Sequence, residues 1–67
     1  MNIKVNNNII ALEDSNQLEM LLKKLLLQEK NGIAIAVNDE VIPKSEWGYF
    51  SLKENDEVLI IEAAQGG

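Results

Sequence analysis

Five leucines set the main constraint on this chain. Leu18, Leu21, Leu22, Leu25 and Leu26 recur at i, i+3, i+4, i+7 and i+8. That spacing lays one wide apolar stripe along an amphipathic helix. Asn16, with Glu19 three residues on, resembles a capping box that would start the helix. The helix is predicted to run to Gln28 or Glu29, with Asn31-Gly32 supplying the left-handed residue that closes it. Lys23 and Lys24 fall off the stripe. Met20 and Leu27 sit at its edge, where a place at the core margin is favoured over exposure. A stripe of this width has to bury itself against another element, and the rest of the 67 residues offers only strands.

Asn2-Ile3-Lys4-Val5-Asn6 alternates polar and apolar, which places Ile3 and Val5 on one face of a strand. Asn6-Asn7-Asn8 suits a tight hairpin turn, because asparagine tolerates positive φ. In the returning strand Ile10 and Leu12 face the core and Ile9 and Ala11 face away. Glu13-Asp14-Ser15 is a polar break before the helix. Ile33-Ala34-Ile35-Ala36-Val37 alternates large and small, so Ile33, Ile35 and Val37 meet the helix and the alanines leave a flat patch behind them. Asn38-Asp39-Glu40 is a second turn, and Val41-Ile42 a short strand stopped by Pro43. Residues 43–48 are irregular or a single helical turn. Lys53-Glu54-Asn55-Asp56 is a further turn, with Asn55 at positive φ. Glu57-Val58-Leu59-Ile60-Ile61-Glu62 is apolar on both faces, as a central strand is.

This order of elements predicts an α+β domain: a mixed four- to five-stranded sheet with one main helix packed across one face. That is the ubiquitin-like β-grasp, with its first and last strands paired in parallel at the centre. Residues 1–63 would form the domain and residues 64–67 a flexible C-terminal tail ending in Gly-Gly.

Cysteine and histidine are both absent. Their absence removes disulfides, a thiol nucleophile, thiolate metal sites, the commonest general base and the commonest nitrogen ligand. No catalytic residue, metal site or bound cofactor is expected. Eleven acidic residues against six lysines give a net charge of −5. Such a chain is repelled by nucleic acid and by anionic membrane, and is steered toward basic protein surfaces. No signal peptide precedes the first strand, and no apolar run is long enough to span a bilayer. A soluble cytoplasmic protein is the expectation.

Several residues could carry chemistry or recognition. Glu13-Asp14, Asp39-Glu40 and the group Glu54, Asp56 and Glu57 are paired or clustered carboxylates, which can serve acid–base work or hold calcium. They lack EF-hand spacing and any cavity-forming context, and solvated turn residues are the favoured reading. Trp47 is either an anchor for a partner or a lid over a small core; the second is favoured. If Val58 and Ile60 face the helix, Leu59 and Ile61 point to the opposite sheet face, with Ala34, Ala36 and Ile9. A single-helix domain has nothing of its own to cover that face, and exposed apolar patches mark interaction sites. A covering loop and a homodimer are the alternatives to a partner protein.

The chain ends Ala63-Ala64-Gln65-Gly66-Gly67. Two readings stay open from the terminus alone: an unstructured end, or a presented carboxylate on a short tether. An α-carboxylate is ionised at neutral pH and is a poor electrophile. An acyl-adenylate made from ATP would give it a leaving group. Two glycines without Cβ atoms could thread a narrow channel. Activation would have to come from another enzyme, since this chain has no phosphate-binding loop.

Ala36-Val37-Asn38-Asp39-Glu40-Val41-Ile42-Pro43-Lys44-Ser45-Glu46-Trp47, then residues 52–56, Val58, Ile60 and Ala64-Gln65-Gly66-Gly67, carry a resemblance along nearly the whole chain. The Val-Asn-x-Glu-x-x-Pro-x-Ser-x-Trp string with a terminal Gln-Gly-Gly resembles the ThiS family, the sulfur carriers of thiamine biosynthesis. That family commonly has glycine where Asn7 and Asn55 stand; both replacements keep a residue that accepts positive φ. The resemblance implies a protein co-substrate and not a catalyst. A ubiquitin-activating-type adenylyltransferase (ThiF-like) would adenylate Gly67 with Mg-ATP. Sulfur passed from cysteine by a desulfurase would replace AMP as a thiocarboxylate. A thiazole synthase (ThiG-like) would take that sulfur into thiazole phosphate. Gln65, Gly66 and Gly67 would thread the partner's active site; that Leu59, Ile61, Ala34 and Ala36 would dock rests on the exposed patch and not on the motif. The rivals are the small subunit of molybdopterin synthase, sulfur carriers for cysteine or tRNA thiolation, a ubiquitin-like binding module with an inert tail, and a covalent modifier joined to lysines through Gly67.

Overall fold

The computed structural model describes residues 1–13, 15–27 and 31–62. The elements run β1 (Asn2–Val5), β2 (Asn8–Ala11), α1 (Leu18–Lys24), β3 (Ile33–Val37), β4 (Glu40–Ile42), a 3-10 turn (Lys44–Glu46) and β5 (Glu57–Glu62). The sheet has five strands in the order β2-β1-β5-β3-β4. β1 and β5 pair in parallel at its centre, and the other neighbours are antiparallel.

Both hairpins close through two residues at positive φ, Asn6 (47°) with Asn7 (71°) and Asn38 (51°) with Asp39 (70°). Type I′ turns require that at both central positions, and their twist matches that of the flanking strands. Asn55, at φ 69°, turns the chain into β5. Positions 7 and 55 therefore both hold left-handed backbone.

The buried set is wholly hydrophobic among the described residues. Ile3, Val5, Ile35, Val37, Ile42 and Val58 point from the sheet toward Leu18, Leu21 and Leu22 of α1. Leu12, Leu52 and Trp47 close the edges. The indole N–H of Trp47 donates to the Ile42 carbonyl at 2.9 Å. Its ring is buried, so Trp47 is the lid and not an exposed anchor.

The helix differs from its sequence expectation at both ends. Its N-cap is Gln17, with no side-chain cap hydrogen bond; the Asn16–Glu19 capping box does not form. A distant segment does that work. Leu18 N–H donates to the Phe50 carbonyl at 2.9 Å, Leu52 N–H donates to the Asn16 carbonyl, and Gln17 bridges Ser51. The first of the helix's unpaired N–H groups is thus satisfied by backbone from another segment.

At the other end α1 stops at Lys24, not at Gln28 or Glu29. Leu26 takes φ 61°, and its N–H donates to the Lys23 carbonyl, while Leu27 N–H donates to the Leu22 carbonyl at 2.8 Å. This pair of bonds is a Schellman motif with leucine in the place that glycine usually takes. Leu27 packs against the core, as such motifs favour. Leu26 consequently leaves the stripe and is 89% exposed. Gly32, at φ 78°, leads into β3 and does not close the helix. Met20, expected at the core margin, is exposed, because two residues from both Leu18 and Leu22 it falls on nearly the opposite side of the helix from those buried leucines.

Leu26→Gly is therefore expected to stabilise the fold by about 0.5–1 kcal/mol: the cost of a left-handed leucine outweighs the extra chain entropy of glycine. Chemical denaturation followed by circular dichroism checks this, and a loss of stability would contradict it.

Candidate functional site

β5 lies between β1 and β3, and its alternation splits its side chains between two environments. Val58 is buried and Ile60 is packed against the core. Leu59 and Ile61 face away and are 49% and 53% exposed. Register then assembles the outer face. Ala36 stands opposite both Leu59 on β5 and Val41 on β4, and Ala34 stands opposite Ile61. Leu59, Ala36 and Val41 thus form one row across three strands, with Ala34 and Ile61 as the next row. The small alanines keep the row low between the larger side chains.

The structure brings together the four residues expected from sequence, Leu59, Ile61, Ala34 and Ala36. It adds Val41, which is 70% exposed and was read from sequence only as part of a short strand. The two-residue turn at Asn38-Asp39 fixes Val41 opposite Ala36, so counting the hairpin register would have found it. Ile9 is on the same face, across the sheet. Its partner on β1 is Lys4, and Lys4 is paired in turn with Glu57. A charged pair of positions therefore separates Ile9 from the Leu59 row, and the apolar patch proper sits on β5, β3 and β4.

The rest of the described surface offers little to chemistry. No group of three or more His, Cys, Asp or Glu that could hold a metal occurs among the described residues, and no polar side chain there is buried. Glu54 accepts the Asn2 N–H, and Asp56 accepts the Lys53 N–H at 2.8 Å and the Asn38 side-chain amide at 3.0 Å. These carboxylates hold turns. Among the described residues no helix is long and apolar enough to cross a membrane.

β5 runs as strand to Glu62. Gln65, Gly66 and Gly67 lie outside the described residues, as do Ala63 and Ala64. What precedes them is a strand paired with β3 as far as Glu62 and with β1 only at Glu57 and Val58, with the apolar face on the stretch nearest the terminus.

Comparison with known proteins places this geometry. The model of the ThiS family matches residues 1–67. The sulfur carrier protein ThiS of Escherichia coli (strain K12) is 25% identical over 67 residues, covering 100% of both chains. The crystal structure of the thiamine biosynthesis protein (ThiS) from Geobacter metallireducens has the same fold, with a TM-score of 0.81 over 100% of each chain at 22% identity. By its matched length, its ubiquitin-like β-grasp architecture and its strand order, the chain belongs to the ThiS family.

Proposed function

We propose that this protein is a sulfur carrier whose Gly67 carboxylate is adenylated and then converted to a thiocarboxylate, which supplies sulfur for the thiazole of thiamine. The observation that carries the reading is the family match along all 67 residues, on a chain that ends Gln65-Gly66-Gly67. A curated relative of identical extent is named as a sulfur carrier. The fold adds a physical reason: a rigid central strand leads into the tail and presents an apolar face beside it.

The chemistry runs as adenylation, acyl transfer to sulfur and reduction. A Gly67 carboxylate oxygen attacks the α-phosphorus of ATP, held with Mg on a ubiquitin-activating-type adenylyltransferase (ThiF-like). Pyrophosphate leaves, and the acyl-adenylate now carries AMP as a leaving group. Sulfur taken from cysteine by a desulfurase arrives as a persulfide, whose terminal sulfur attacks the carbonyl carbon and expels AMP to give an acyl disulfide. A thiol reductant supplied by the enzymes or the medium then cleaves the S–S bond, leaving a thiocarboxylate on Gly67 and departing as a disulfide. Thiazole synthase (ThiG-like) takes that sulfur, and an oxygen from its substrate or from water replaces it to restore the Gly67 carboxylate. In this scheme the carrier is a co-substrate. Leu59, Ile61, Ala34 and Ala36 dock to the enzymes while Gln65, Gly66 and Gly67 enter their active sites.

The test of the destination is transfer. The thiocarboxylated chain is offered separately to thiazole synthase with its sugar and glycine-derived substrates, and to the large subunit of molybdopterin synthase with its precursor. Loss of the sulfur with thiazole formation only in the first supports the reading. Loss only in the second reassigns the carrier to molybdopterin.

A further inference from the structure

The first hairpin uses asparagine for more than turning. Glycine, asparagine or aspartate can all hold the positive φ of position 6. The Asn6 side chain, however, reaches across to a residue 54 positions later. Its Oδ1 accepts the Ile60 N–H at 2.8 Å, and its Nδ2 donates to the Ile60 carbonyl at 3.1 Å. Its own backbone N–H donates to the Val58 carbonyl at 3.0 Å. β1 ends at Val5, where the chain turns away, so the side-chain amide replaces the next rung of the parallel ladder. Only an amide offers a donor and an acceptor together as a peptide does; an ionised aspartate lacks the donor and glycine has neither.

Asn38 does matching work at the other end of β5. Its Oδ1 accepts the Glu57 N–H at 3.0 Å, and its backbone N–H donates to the Glu57 carbonyl at 2.8 Å. The strand is thus gripped at its first residue by one hairpin and at Ile60 by the other. Only the Asn6 grip lies on the half that carries Ile61 and continues into the tail.

We propose that Asn6 is a positioning residue: its amide fixes Ile60, and through it the set of the Ile61 side chain on the outer face of the sheet. This rests on the carrier reading above. Alternate residues of a strand direct their backbone groups to opposite sides, so without the amide both polar groups of Ile60 lose their partner on the β1 side. The strand end then opens more often. A partner that needs the apolar face in one arrangement must select the closed fraction, and its apparent affinity falls by that fraction.

Asn6→Gly keeps the turn and removes the grip, and Asn38→Gly is the matched control at the far end. Two readouts are taken on the full chain: amide hydrogen exchange by NMR, and adenylation by the cognate adenylyltransferase with Mg-ATP against carrier concentration. Asn6→Gly is expected to speed Ile60 exchange about tenfold relative to the rest of the sheet, and to raise KM for the carrier about three- to tenfold with kcat within about twofold. Asn38→Gly is expected to speed Glu57 exchange instead and to move KM by less than about twofold. The proposal is overturned if Ile60 exchange is unchanged in Asn6→Gly, or if both variants raise KM alike. If the unaltered chain is not adenylated at all, the carrier reading fails, and Ile60 exchange alone then decides whether Asn6 holds the strand.

Discussion

Deleting Gly67 is expected to reduce adenylation to the level seen with no carrier present, while leaving thermal unfolding unchanged. The reason is chemical. Deletion moves the carboxylate back one residue, to Gly66. An in-line attack on the α-phosphorus needs the reacting atoms about 3–3.5 Å apart, and a displacement of one residue, about 3.3–3.6 Å of chain, leaves that range entirely. No described side chain can substitute, since histidine and cysteine are absent and the buried set contains no polar residue. Pyrophosphate release in the presence of the activating enzyme reads the effect. Full activity of the shortened chain would mean that position along the tail does not matter, which the threading argument forbids.

Ile61→Glu is the second large effect. The side chain is about half exposed and lies opposite Ala34, so the fold should lose no more than about 1 kcal/mol. In the proposed docking face Ile61 lies one row from Leu59, and a carboxylate there would have to be desolvated without a partner. The loss in kcat/KM for adenylation should be about 10- to 100-fold, the size of a central interface residue. The same substitution at Ile9 should cost much less, because Lys4 and Glu57 stand between Ile9 and the Leu59 row. Equal effects at positions 9 and 61 would show that the patch boundaries drawn from strand register are wrong.

Much of this fold could be read from local pattern. Alternation placed Ile3, Val5, Ile35, Val37 and Val58 inward, as they are, because a period of two allows only one answer once a face is buried. The asparagines at 7, 38 and 55 were legible as turn residues, since few side chains accept positive φ. The outer row at Leu59 and Ile61 followed from the same alternation on β5. The helix ends were not legible. Asn16 and Glu19 satisfy the capping-box pattern, yet the N-terminus is bound by Phe50, a residue more than thirty positions away that no local pattern names. The C-terminus closes on a left-handed Leu26, where glycine is the usual signal and Gly32 drew the expectation. At the N-terminus a tertiary contact overrode a local preference worth about 1 kcal/mol; at the C-terminus a local Schellman motif, with Leu27 packed on the core, closes the helix without glycine. The Asn6 grip on Ile60 was hidden as the N-terminal contact was: its turn role is local, and its second role is visible only once β5 lies beside β1.

The central claim is that Gly67 carries sulfur. Its most direct test is the intact mass of the full chain after incubation with its activating enzyme, Mg-ATP and a sulfide source, with fragmentation to locate the change. The expected result is exchange of one oxygen for sulfur, confined to Gly67 and absent when ATP is withheld. An unchanged mass with an enzyme active on its own carrier, or adducts joined through Gly67 to lysine side chains, would contradict it.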